Sequence, residues 1–229
     1  MLAKLKLIKT PKGIDSVLML SAMLIIWIGN YSNLDLMLAD SMFDGARGLF
    51  AAKQGVLAGG LQFAMTGLAA AVILLALWDV WRPLAWPASR RTALRVTALA
   101  ALLVPASIYF LSSFSGMPCP GDLLRYGGSE SYARLLETAS AHASAMACLP
   151  ATQASTAWWL LALPLFFLPR QPRLAILAAG AMLLCGLAMG WQQQMQGTQF
   201  FSHTLWSAWI AAFLIYVLYG MCKADDALA

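Results

Sequence analysis

Few side chains in this sequence can exchange a proton near neutral pH or attack an electrophile. Its 229 residues contain two histidines, His142 and His203, and four cysteines. Neither histidine has an acidic or thiolate cluster beside it at ligand spacing, so no metal and no cofactor are expected. Gln192, Gln193, Gln194, Gln196 and Gln199 crowd the segment just before His203. Glutamine hydrogen-bonds through its amide but neither titrates near neutral pH nor forms a stable phosphoryl adduct. This segment therefore reads either as a neutral polar pocket for a head group or as a solvated loop. His203 has three readings: a proton donor, a metal ligand, or a hydrogen-bonding residue at a helix start.

The elements that position these residues follow from hydropathy. The chain is 61% hydrophobic and only 11% charged, far from the composition of soluble domains. Six apolar stretches recur, at about 15–32, 56–80, 95–114, 153–169, 174–191 and 204–222. Their lengths suit a hydrocarbon core ~30 Å thick, and in lipid the backbone must satisfy its own hydrogen bonds. None shows the period-2 alternation of barrel strands, so the expected fold is all-α: an integral membrane protein with one domain, 1–229, of six transmembrane helices.

Charge sets the expected orientation. Eleven basic residues fall on one side: Lys4, Lys6, Lys9, Lys12, Arg82, Arg90, Arg91, Arg95, Arg170, Arg173 and Lys223. Only Arg47, Lys53, Arg125 and Arg134 fall on the other. The positive-inside rule then puts both termini in the cytoplasm, and the net charge of +5 needs no nucleic-acid partner. The basic start followed by an apolar run does not read as a cleaved signal peptide, because no small-x-small site follows it near Ile28 to Tyr31.

Two extracytoplasmic segments are long, Asn33 to Gly55 and Ser115 to Gln153, and a shorter one runs from Gln192 to Thr204. The stretch from Ser129 to Met146 has apolar spacing compatible with a short amphipathic helix on the membrane surface. Cys119 and Cys148 both fall outside the membrane, where disulfides persist, so a bond between them is expected; two free thiols are the alternative. Gly186 and Gly190 form a small-xxx-small pair that suits close packing within the bundle. No charged residue falls at mid-membrane in any helix, which argues against a transporter.

Three segments at the extracytoplasmic ends of the last four helices carry a family resemblance. They are Leu111 to Gly128 (LSSFSGMPCPGDLLRYGG), Cys148 to Ala157 (CLPATQASTA) and Gln192 to Ala208 (QQQMQGTQFFSHTLWSA). Their order and spacing resemble the phosphatidic acid phosphatase type 2 superfamily of membrane lipid phosphatases, in its bacterial membrane branch. The resemblance covers nearly the whole chain, including the acidic-aromatic stretch LDLMLADSMFDGARGLFAAKQ after the first helix.

That resemblance implies a bundle of the lipid-phosphatase type in the bacterial inner (cytoplasmic) membrane, with its site facing the periplasm. The family hydrolyses phosphate esters through a phosphohistidine. Cations neutralise the phosphate, one His attacks, another protonates the leaving alkoxide, and a carboxylate orients the nucleophile.

Carried over position by position, Ser112 stands where the family has Lys and Cys119 where it has Arg, with Pro120 kept. Gln153 stands for the proton-donating His, after Pro150. Gln193 replaces Arg, Gln199 the nucleophilic His, and His203 the Asp, with Gly197 and Ser202 fitting the pattern. The frame survives, and all six positions that carry the chemistry are changed. The resemblance then implies a catalytically inactive relative that binds a membrane lipid, a lipid-linked phosphate or an integral-membrane protein partner.

The alternative is a divergent phosphatase or phosphotransferase acting on phosphatidic acid, polyprenyl phosphate or lipid A. Ala141-His142-Ala143-Ser144 resembles the core of the second motif, so His142 paired with His203 would be its displaced acid-base pair.

Overall fold

The computed structural model describes residues 13–51, 56–134, 137, 148–150 and 155–226. Helix α1 spans Ile14–Tyr31 and closes where the Ser32 N–H and hydroxyl both donate to the Ile28 carbonyl. A short helix, α2 (Leu34–Met42), follows, then a two-residue hairpin, β1 (Phe43–Asp44) against β2 (Leu49–Phe50). Helix α3 is Val56–Trp81 and α4 is Ala88–Ser115, which ends where Gly116 turns left-handed at φ +58°. Helix α5 (Ser155–Trp158) runs directly into a 3₁₀ segment, Trp159–Phe167. The long helices α6 (Pro172–Met195) and α7 (Phe201–Asp226) complete the chain.

This is an all-α membrane protein. Five of its helices, α1, α3, α4, α6 and α7, are long and apolar enough to cross a bilayer. The fourth sequence-predicted span, 153–169, takes a different form. Its helical part is Ser155–Phe167, which is mostly 3₁₀ and has Pro164 inside it. A 3₁₀ segment rises ~2.0 Å per residue instead of ~1.5 Å, so its four α-helical and nine 3₁₀ residues reach about 24 Å. That is longer than the same number of residues would reach as α-helix, yet shorter than the hydrocarbon core.

This short segment is the centre of the bundle. Trp158, Trp159, Leu160 and Ala162 are buried with a face of α4 formed by Val96, Ala100, Val104 and Ile108, and with Ala211 and Ile215 of α7. The recurrence of apolar residues on α4 every third or fourth position aligns them on one stripe. Glycine sets the closest approaches. A Cβ on Gly186 of α6 would fall on the Trp158 ring, and one on Gly190 would fall on the Thr204 side chain of α7. The small-xxx-small pair thus packs within the bundle.

Helix α3 is the opposite case. Phe63, Leu74, Leu77, Val80 and Trp81 are all exposed, as expected of a peripheral helix whose solvent is lipid tails. Helix α1 is held mainly on α7: the Trp209 indole N–H donates to the Leu18 carbonyl at 2.9 Å, and the Tyr216 hydroxyl donates to Asp15 at 2.5 Å.

Two boundaries differ from the sequence reading. Helix α4 begins at Ala88, so Arg90, Arg91 and Arg95 stand on its first turns instead of in a loop. Between α6 and α7 only 196–200 are non-helical. Polar residues at a helix end lower hydropathy without ending the helix, which is why apolar runs underestimate both elements. Of the expected surface helix between Ser129 and Met146, residues 129–134 are non-helical, and most of the remainder lies outside the described residues.

Candidate functional site

One end of the bundle has short connections, 82–87 and 168–171; the other carries α2, the hairpin, the segment after α4 and the α6–α7 turn. These pieces are tied to one another at the loop-rich end. The Gly121 N–H donates to the Gly197 carbonyl at 2.8 Å, and the Cys148 N–H to the Met117 carbonyl at 2.8 Å. Cys119 and Cys148 are joined by a disulfide across 29 positions, with Cα atoms 5.2 Å apart. The Arg125 guanidinium grips the Asp40 carboxylate with two bonds of 2.7 Å, and Tyr126 donates to the same carboxylate. Arg134 bonds the Asn30 carbonyl and the Asn33 side chain. Beneath them Ala39, Leu123, Tyr126 and Phe200 pack with Phe43, Phe50 and Tyr132.

The turn between α6 and α7 needs its glycine. Gly197 sits at φ +70°, and a Cβ there would collide with the Phe50 ring. A left-handed residue without a side chain is the only one that fits both constraints.

The motif-matched positions divide as follows. Ser112 is buried near the end of α4, its hydroxyl donating to the Tyr109 carbonyl. Cys119 is consumed by the disulfide. Gln193 lies in the last turn of α6, Gln199 in the turn, and His203 in the first turn of α7, each at most 6% exposed. Gln153 and His142 lie outside the described residues. Ser112, Cys119, Gln193, Gln199 and His203 thus share one end of the bundle.

Their hydrogen bonding is incomplete in a consistent direction. The Oε1 atoms of Gln193, Gln194 and Gln199 and the Nδ1 of His203 are buried without a partner among the described residues. Gln194 donates through Nε2 to the Gly190 carbonyl at 3.4 Å, which fixes its oxygen as the free atom. His203 hydrogen-bonds the backbone of Cys148, whose N–H is already given to Met117. The Cys148 carbonyl therefore accepts from Nε2–H, and this tautomer presents Nδ1 as an acceptor. The other buried polar atoms in this state, the Trp158 and Trp159 indole N–H groups, lie on the central segment. Each unmet buried acceptor costs about 1–3 kcal/mol.

The loop-rich end also holds a residue to which sequence reasoning assigned no role. Asp35, buried at the start of α2, accepts from the Ser202 N–H at 2.8 Å and the Ser202 hydroxyl at 2.5 Å, and from the Phe201 N–H. It caps α7 from another helix, supplying acceptors that Phe200 before the helix cannot. Burial pushes its carboxyl above the ordinary range, and the Ser202 and Phe201 bonds offset only part of that rise. Asp40 is held below its ordinary value by the Arg125 bond. The only sequence signal for Asp35 was an acidic residue in an otherwise apolar LDLML run.

Among the described residues no Lys or Arg is buried. Nor do three or more His, Cys, Asp or Glu gather where they could hold a metal ion among those residues. The described part of this end therefore offers hydrogen bonds, but no buried positive charge, to a phosphate dianion. No family model, curated protein or solved structure matches the chain.

Proposed function

We propose that the chain is a noncatalytic member of the phosphatidic acid phosphatase type 2 superfamily, and that its loop-rich end binds a membrane lipid or an integral-membrane partner. The observation that carries this reading is the convergence of Ser112, Cys119, Gln193, Gln199 and His203 at one end of the bundle with no buried cation among the described residues. A family frame is kept while the side chains that attack, protonate and neutralise are gone. A transferred phosphoryl group needs positive charge where negative charge develops, and a nucleophile that can form an adduct.

In this reading the chain crosses the bacterial inner membrane six times, the extra crossing being Ser155–Phe167. Both termini are cytoplasmic and the polar end faces the periplasm. The eleven-to-four division of basic residues supports that orientation.

The test is phosphate release by the purified full-length chain from phosphatidic acid, a polyprenyl diphosphate and lipid A. No release above a heat-inactivated control is expected. Hydrolysis that disappears with Gln199→Ala or His203→Ala overturns the proposal in favour of a divergent phosphatase.

A further inference from the structure

Four buried atoms at the loop-rich end share one property: Gln193 Oε1, Gln194 Oε1, Gln199 Oε1 and His203 Nδ1 all accept hydrogen bonds and have no donor among the described residues. Their side chains are 4–6% exposed. They come from the last turn of α6, the α6–α7 turn and the first turn of α7, which the Gly190–Thr204 approach holds close together. These four atoms call for donors.

A phosphate dianion offers only acceptors, so placing it here would oppose acceptor to acceptor at an end with no buried cation among the described residues. An ammonium group donates, but it would bring a charge into a buried site where both Asp35 oxygens are already committed to Ser202. Hydroxyl groups donate at no cost in charge.

Resting on the reading of this end as a binding site, we propose that it recognises the hydroxyls of an uncharged polyol or sugar head group on a membrane lipid, and not its phosphate. The head group lies at the periplasmic ends of α6 and α7 with its acyl chains along the exposed apolar helix faces. The three amide oxygens and the imidazole nitrogen accept from it. Such a site rejects analogues that lack the donors, because its own acceptors are then left unmet.

The experiment measures binding of three diacyl lipids with identical chains to the full-length protein in micelles, by native mass spectrometry with thermal unfolding in parallel. The probes are monoglucosyl diacylglycerol, which has hydroxyls and no phosphate, phosphatidic acid, which has the reverse emphasis, and diacylglycerol as the single-hydroxyl baseline. The glucosyl lipid is expected to bind at least about tenfold more tightly than phosphatidic acid. Gln193→Met and Gln199→Met should each abolish that preference. The same substitutions should raise the lipid-free melting temperature by about 2 °C each, because they replace an unmet acceptor with an apolar group of similar shape.

Equal or tighter binding of phosphatidic acid overturns the head-group assignment. If that binding still depends on Gln193 and Gln199, the lipid-binding reading stands while the assignment falls. A lower lipid-free melting temperature in both Met variants means the amides are already satisfied by ordered water, and also overturns the assignment. If no lipid responds to either substitution, the assignment fails and only a protein partner remains for this end.

Discussion

Each end of the bundle buries an aspartate, and the two are satisfied in different ways. At the short-turn end Asp79 is 1% exposed and accepts from the Leu84 N–H at 2.8 Å and from the Arg91 guanidinium at 3.2 Å. At the loop-rich end Asp35 is 4% exposed and, among the described residues, meets only neutral donors, the backbone and hydroxyl at the start of α7. The first is an ion pair that clips the α3–α4 turn. The second is a helix cap that crosses from one element to another. Arg91 reaches the buried carboxylate at one end, whereas at the other Arg125 and Arg134 bond Asp40, Asn30 and Asn33 instead. The neutral surroundings of Asp35 are therefore local, and do not follow from the overall composition, which is net basic.

The largest effect that would break this contrast is at Asp79. Asp79→Ala leaves Arg91 and the Leu84 N–H facing an empty site, and should lower the unfolding free energy in micelles by about 3 kcal/mol. A change no greater than that of an exposed substitution would mean the pair does not hold the turn.

Asp35→Ala comes next. It removes hydrogen bonds to a charged acceptor and leaves α7 uncapped, with an expected loss of about 2 kcal/mol. Because Ser202 shares that bond, a double-mutant cycle with Ser202→Ala should show coupling; strict additivity would remove the capping role.

A pH series sharpens the contrast further. The folded pKa of Asp35 is raised, so the folded state holds its proton more tightly than the unfolded chain. The stability it contributes is full below the ordinary carboxylate range and is lost as pH rises through the raised value. Asp35→Asn should remove that decline. An unchanged pH profile in the variant would place the titration elsewhere.

The smallest effect is expected at Asp40, whose pKa is lowered by Arg125. Here the sign reverses: its contribution is present above the ordinary carboxylate value and fades as pH falls through the lowered one. The pair is largely exposed, so Asp40→Asn should change the melting temperature less than any of the variants above. A larger shift than that of Asp35→Asn would invert the ranking.

Much of the membrane architecture was legible in the residues. Five apolar runs became five long helices because length and absence of charge are properties of the local chain. The 3₁₀ form of the fourth run was not visible, since an internal proline does not decide it: Pro105 lies inside α4, which stays α-helical. At the site, the crowding of glutamines before His203 was plain. Which of them are buried was not: Gln193, Gln194 and Gln199 lie inside, while Gln192 and Gln196 are half-buried. Asp35 looked like one acidic residue among several in a loop until α2 delivered it to the start of α7.

By itself the sequence determined that the chain is apolar, helical and built for lipid, because hydrophobic runs and charge placement act over a few turns of one helix. The folded arrangement decided which polar atoms lack partners and which carboxylate meets a cation. Those are questions of what lies opposite across a gap of about 3 Å, and in this molecule the opposing groups come from segments far apart in the chain, as Asp35 and Ser202 do across 167 positions.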